Sequence, residues 1–241
     1  SEVGIITLTP VAINYLSAGD VTGDESVHIG RFIPDAFAIE NIVAGQLTDA
    51  CSDFSYAGQT IEGYVAGAEP HLSIRAVNAL EPAQTTQNYR GDFAKLEATD
   101  ILLGGPSDGA DADQLGADGE NRVQVDTLLE VGTLVDNENG TLTYTASNND
   151  EYVYLKENAL VAPFVSRILL QLSSVEDADG VAAADLPQTI EVGGSDIRYG
   201  RLALDNAYGS ETLPLTIPVR TEYFNGTTFS LNEDDSCTVY D

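Results

Sequence analysis

Methionine and tryptophan are absent from these 241 residues, and there are only two cysteines, two histidines and two lysines. Each scarcity closes off a reading. A chain without methionine is not expected to begin at its own start codon, so a processed or excised piece of a longer precursor is expected. Cys51 and Cys237 without a neighbouring histidine do not make a closed zinc site. His28 and His71 stand outside any metalloprotease helix motif or nucleophile-elbow context, so nothing promotes Ser-His-Asp chemistry. The missing tryptophan removes the usual sugar platform of a polysaccharide hydrolase, and carboxylate pairs mean little where acids are everywhere. No glycine-rich phosphate cradle follows a strand and opens a helix. No run approaches the roughly 18 apolar residues of a membrane-spanning helix, and no signal peptide is visible at Ser1.

Positive charge is the other scarcity. Ten Lys and Arg face 39 Asp and Glu, for a formal net charge of −29 and a pI near 4.1. Such a surface repels nucleic acid and anionic headgroups, so neither is expected as a partner, and no membrane insertion is expected. The acidic excess suits a salt-adapted extracellular protein kept soluble by charge, and local clusters could also hold calcium. Hydrophobic residues reach 43%, enough for a packed core and too many for a disordered acidic tail.

The pattern is β throughout. Leu213, Leu215, Ile217, Val219, Thr221 and Tyr223 alternate with Pro214, Thr216, Pro218, Arg220 and Glu222, which predicts one strand with a dry face. Its two prolines cannot donate ladder hydrogen bonds, so it reads as an edge strand. Asn225-Gly226 then predicts a hairpin back through Phe229–Leu231. Further strands are expected at Ile5–Thr9, Val27–Ile33, Ala36–Ile42, Ile61–Val65, His71–Val77, Arg122–Thr127, Thr141–Ala146, Tyr152–Leu155, Phe164–Leu172 and Arg198–Leu204, and one short helix within Asp92–Leu102. Many short strands joined by Gly, Asn and Asp turns predict an all-β fold. The expected layout is an N-terminal strand segment (1–34) followed by two immunoglobulin-like β-sandwich modules (35–160 and 161–241), the first with an acidic insertion loop.

Two Asp-rich loops are candidate calcium sites. In the first, Asp177 and Asp179 stand at i and i+2 beside Gly180, with Glu176 and Asp185 near enough to add oxygens. It is not an EF-hand, because Gln188 stands where the closing Glu belongs. The second, Ser107–Arg122, carries Asp108, Asp111, Asp113, Asp118 and Glu120. Solvated acidic turns are the alternative for both. The two cysteines, Cys51 and Cys237, are expected to form one disulfide, worth up to about 5 kcal/mol in the chain-entropy model, with two buried or unpaired thiols as the alternative.

Seven phrases occur in series: Gly30-Arg31-Phe32-Ile33-Pro34-Asp35-Ala36-Phe37, Phe54-Ser55-Tyr56-Ala57-Gly58-Gln59, Asn88-Tyr89-Arg90-Gly91-Asp92-Phe93-Ala94, Asp177-Ala178-Asp179-Gly180-Val181, Arg198-Tyr199-Gly200-Arg201-Leu202, Asn206-Ala207-Tyr208-Gly209-Ser210-Glu211 and Asp235-Ser236-Cys237-Thr238. In this order they resemble the C-terminal region of the MSHA (mannose-sensitive haemagglutinin) pilus biogenesis protein MshQ and related large bacterial surface proteins. The resemblance spans nearly the whole chain. It implies export in a Gram-negative bacterium, an extracellular or cell-surface location and pilus association, with pilus components or glycans as partners. It transfers no catalytic residue. The expected function is therefore a non-catalytic adhesin or pilus-associated module. The alternatives are a filament subunit assembled by strand addition at edge strands and, third, a polysaccharide hydrolase. Calcium is the one cofactor the acidic loops suggest.

Overall fold

In a computed structural model, residues 2–108, 123–125 and 129–239 are described. The chain is all-β. Its strands, in order, are β1 (Gly4–Ile6), β2 (Val11–Ala12), β3 (Val21–Thr22), β4 (Ile29–Phe32), β5 (Ala36–Val43), β6 (Ser55–Tyr56), β7 (Thr60–Glu62), β8 (His71–Val77), β9 (Ile101–Asp108), β10 (Val123–Val125), β11 (Thr133–Asp136), β12 (Thr141–Thr145), β13 (Glu151–Tyr154), β14 (Phe164–Val175), β15 (Gln188–Arg198), β16 (Gly200–Leu204), β17 (Val219–Phe224) and β18 (Phe229–Leu231).

Three sheets make the body, ordered β11-β12-β8-β5, β6-β15-β14-β9 and β10-β13-β7. Alternation places their inward residues. Leu72, Ile74 and Ala76 of β8 are buried while the residues between them are half-exposed, and β14 buries Phe164, Ile168, Leu170 and Leu172 in the same way. These side chains join one hydrophobic cluster that runs from Val3 to Ile197 and, among the described residues, includes nothing beyond it. Residues 198–239 form a separate three-stranded sheet, β16-β17-β18, and residues 4–32 a two-stranded ribbon in which β1 pairs with β4 and β2 with β3.

This arrangement corrects the expected module boundary at 160. β14 pairs with β9 and β15 with β6, so residues on both sides of that point share one sheet. The central strand β15 was not expected at all, because Gly193-Gly194 normally weakens a strand. Here the glycines are needed: a Cβ on Gly193 would collide with the Gln46 amide, and one on Gly194 with Ser166. In return Gln46 Nε2 donates to the Gly194 carbonyl at 3.0 Å. The short helix expected within Asp92–Leu102 is instead two 3-10 turns, Gly91–Phe93 and Ala98–Asp100, leading into β9. The strand expected from Leu213 begins only at Val219. Leu213, Leu215 and Ile217 are exposed, since no neighbouring strand receives them among the described residues.

One buried acid opposes the fold at neutral pH. Asp150 is 4% exposed and accepts the Glu130 N–H at 2.8 Å. Burial raises its pKa, and the Glu130 charge adds to this. The folded state therefore holds the Asp150 proton more tightly than the unfolded chain, so its contribution to stability falls as pH rises from the unfolded to the folded pKa. Asp150→Asn is expected to raise the melting temperature at pH 7 and to lose that advantage below the ordinary carboxylate range. Thermal melts at pH 7 and pH 3 test this; a variant less stable at pH 7 would refute it.

Candidate functional site

Two polar nodes gather the residues that the sequence singled out. The first centres on Tyr89, which is fully buried. Its hydroxyl donates to Asp177 Oδ2 at 2.7 Å and accepts the Lys95 and Leu96 N–H groups at 3.1 and 3.0 Å. The ring edge meets Phe37 with centroids 5.4 Å apart. Asp177, itself buried, accepts the Asp179 and Val181 N–H groups at 2.9 and 3.0 Å through Oδ1, which fixes the turn after β14. That turn docks on β5 through the Phe37 N–H and the Ala182 carbonyl, 3.1 Å apart. Arg31 closes the outside with a two-pronged ion pair to Asp179. Burial, and then the Asp177 carboxylate, raise the Tyr89 pKa, so the phenol is a fixed donor rather than an acid.

The expected calcium ligands are thus dispersed. Asp177 is occupied by three protein donors, and Asp179 is paired with Arg31. Glu176 and Asp185 are exposed. No three carboxylate oxygens from this loop converge among the described residues; the one convergent group of metal-binding residue types is Cys51, Asp235 and Cys237. Its sulfurs are bonded to each other. Calcium at Asp179 would have to displace a guanidinium that already supplies both hydrogen bonds. The second loop's Asp111, Asp113, Asp118 and Glu120 lie outside the described residues, as does the side chain of Asp108.

The second node joins residues 198–239 to the body. Tyr56 donates to Asp235 Oδ2 at 3.0 Å and accepts from Asn232 Nδ2 at 2.5 Å. Asp235 also accepts the Cys237 and Thr238 N–H groups and the Thr238 hydroxyl, at 3.1, 3.0 and 2.7 Å. Arg198 lies over the rings of Phe54 and Tyr223, 4.3 and 5.1 Å from their centroids, and pairs with Asp196 and Asp234 at 3.1 and 2.8 Å. Gly200 lets β16 pass the Tyr56 ring, which a Cβ there would strike. Cys51 and Cys237 are joined as a disulfide with a Cα separation of 5.5 Å, 186 residues apart in sequence.

Burial raises the Asp235 pKa, but hydrogen bonds from Thr238, Thr221 and Tyr56 outweigh it and hold it down to about 2. A depressed carboxyl pKa stabilises the fold above the unfolded pKa, and that gain is lost as pH falls through the folded value. The second node is therefore expected to loosen as pH falls between about pH 4 and pH 2. Hydrogen exchange of the Cys237 and Thr238 amides should accelerate across this window in wild type. In Asp235→Asn it should be fast already at neutral pH; protection that is flat in pH would refute the assignment.

Beside the first node, an open groove of about 720 Å³ separates the ribbon's base from the body. Two of its acids act as loop clamps. Asp136 accepts the Gly91 and Glu138 N–H groups at 2.8 and 2.7 Å, and Glu2 accepts the Asn88 N–H at 3.1 Å. His71 opens β8 with Nδ1 3.0 Å from the Glu69 carbonyl, and His28 sits in the ribbon.

Comparison with known families matches residues 2–197 to the model described as DUF6701, third domain, and residues 198–241 to DUF6701, fourth domain. The division between the two models falls where the hydrophobic cluster ends, at Ile197. The second node and the disulfide therefore bridge two family domains. No match was found among curated proteins or among solved structures.

Proposed function

Because this chain belongs to the DUF6701 family, of which it carries the third and fourth domains, we propose that it is a non-catalytic module of an exported bacterial surface protein, related to the pilus biogenesis protein MshQ. The carrying observation is how the polar residues are used. Tyr89, Asp177, Arg31 and Asp179 hold a turn on a sheet, and Tyr56, Arg198, Asn232 and Asp235 hold one domain on the next. Two of the groove's carboxylates, Asp136 and Glu2, hold backbone N–H groups, which suits fixing loops. The interdomain disulfide supports folding in an oxidising compartment, such as the periplasm or the cell exterior. Charge of −29 supports a module kept apart from nucleic acid and anionic lipid.

The test pairs turnover with binding. Purified chain is incubated with a polysaccharide panel and assayed for reducing ends, and immobilised chain is probed with purified pili and a glycan array, with and without calcium. Binding to pili or a glycan without release of reducing ends is expected. Enzyme-like release of sugar overturns the non-catalytic reading, and binding to neither pili nor glycans overturns the attachment role. A filament subunit is the second reading. The exposed alternation of Leu213, Leu215 and Ile217 favours it, and ordered fibres in electron micrographs would establish it.

A further inference from the structure

The ribbon of residues 4–32 leaves the body as two strands and a tip, and almost none of it is buried. Val3 anchors its base in the hydrophobic cluster. Beyond that, its apolar side chains point outward. Ile13, Leu16 and Val27 are 81, 82 and 86% exposed, and Ile5, Ile6 and Val11 are exposed as well. Ile5 and Ile6 both line the groove at the ribbon's base, so the exposed apolar side chains run from the tip back to the body.

The tip is shaped. Asn14, Leu16 and Ser17 all have left-handed backbone angles, with φ of 51, 52 and 61°. Such angles cost energy in residues other than glycine and persist where hydrogen bonds impose them. Here the Tyr15 N–H donates to the Gly19 carbonyl at 2.7 Å, and the Asn14 N–H to Asp20 Oδ1 at 2.7 Å. The result presents Ile13, Tyr15 and Leu16 together, without a charge among residues 13–18. A two-stranded ribbon with no third layer is marginal in water, and exposed apolar surface of this continuity marks an interface.

We propose that this ribbon is an interdomain clasp, covered by the second domain that precedes the third domain in this family. The family's order chooses this occupant: this region is numbered its third domain, and the ribbon lies in the N-terminal part of it, on the side of a preceding second domain. A domain joined there meets the ribbon at an effective concentration of about millimolar, which a separate copy does not reach under ordinary conditions. The groove at the ribbon's base, lined by Ile5, Ile6, Phe32 and Phe93 beside Arg90, continues the apolar surface onto the body and gives the partner a seat there. The inference does not depend on what the parent protein attaches to. It is read on the ribbon alone, whereas the proposed function is read on turnover and binding.

Hydrogen exchange decides it. Amides of residues 4–32 are followed in the 241-residue chain and in a chain carrying the family's second domain ahead of residue 2. Exchange in the ribbon is expected to slow by at least about a hundredfold in the longer chain, as for residues moved into a protected unit. Ile13→Asp with Leu16→Asp should leave the melting temperature of the 241-residue chain unchanged, since both positions are exposed, and should return the longer chain's ribbon to fast exchange. Equal exchange in the two chains overturns the proposal, as does protection that survives the double substitution. A 241-residue chain that sediments as a dimer with a protected ribbon assigns the surface to a second copy and also overturns it.

Discussion

Asp177→Ala is expected to destabilise the third domain by about 3–5 kcal/mol, the range for removing one partner from a buried charged network. The substitution orphans the Asp179 and Val181 N–H groups and takes the acceptor from a fully buried Tyr89 hydroxyl. The turn they fix also carries the Ala182 carbonyl that receives β5, so the loss reaches the sheet edge. Two controls separate this from simple loss of charge. Asp179→Ala removes only the partly exposed Arg31 pair and should cost about 0–1 kcal/mol. Tyr89→Phe keeps the ring against Phe37 but strips the hydroxyl from Asp177 and from two backbone N–H groups, for about 2–3 kcal/mol. In a double-mutant cycle, Asp177→Ala and Tyr89→Phe should be strongly non-additive. Urea denaturation measures all four. An Asp177→Ala cost no larger than that of Asp179→Ala would mean the carboxylate does not organise the turn. Chelator-treated wild type should keep its stability, because the donors that hold this loop are protein groups.

That network explains what the sequence could and could not disclose. Strands β8 and β18 were legible to the residue, because period-two alternation bounded by turn residues is a local signal. β15 was hidden by Gly193-Gly194, whose reason lies in side chains from residues 46 and 166. The stretch 213–218 misled in the opposite sense. Its alternation is that of a strand, but alternation sets which side chains share a face and does not supply a neighbour to pair with. The spacing of Asp177 and Asp179 also could not disclose their protein partners, Tyr89 and Arg31, which stand 88 and 148 residues away. One signal did point to them. The phrases around Arg31, Tyr89 and Asp177, noted as a family series, meet at one node, and those around Tyr56, Arg198 and Asp235 at the other. Ordered phrases scattered along a chain are what a few long-range structural nodes leave behind.

Replacing Cys51 and Cys237 together by serine is expected to act on one domain and to spare the other. A crosslink across 186 residues stabilises by up to about 5 kcal/mol in the chain-entropy model if the whole enclosed loop folds as one unit. The hydrophobic cluster ends at Ile197, however, and the buried groups of the fourth domain are polar: Thr221, Glu222 and Asn232. Its attachment therefore rests on the disulfide and on polar contacts, among them the Tyr56–Asp235 bond, the Arg198 stack, the Lys156 ammonium on the Gly200 carbonyl and the Tyr199 hydroxyl on the Glu157 carbonyl, with little apolar burial behind them. Breaking the disulfide should leave the main melting transition of residues 2–197 within a few degrees of wild type. Exchange and proteolysis within 198–239 should accelerate by up to about a thousandfold, which is most of 5 kcal/mol at 1.4 kcal/mol per tenfold. Asp235→Asn in the same background should add little, because the Cys237 and Thr238 amides it holds are already released. Limited proteolysis with intact-mass readout, under oxidising and reducing conditions, measures the effect. A single cooperative transition that drops as a whole would instead make the two domains one folding unit, with the polar node as strong a bond as the core.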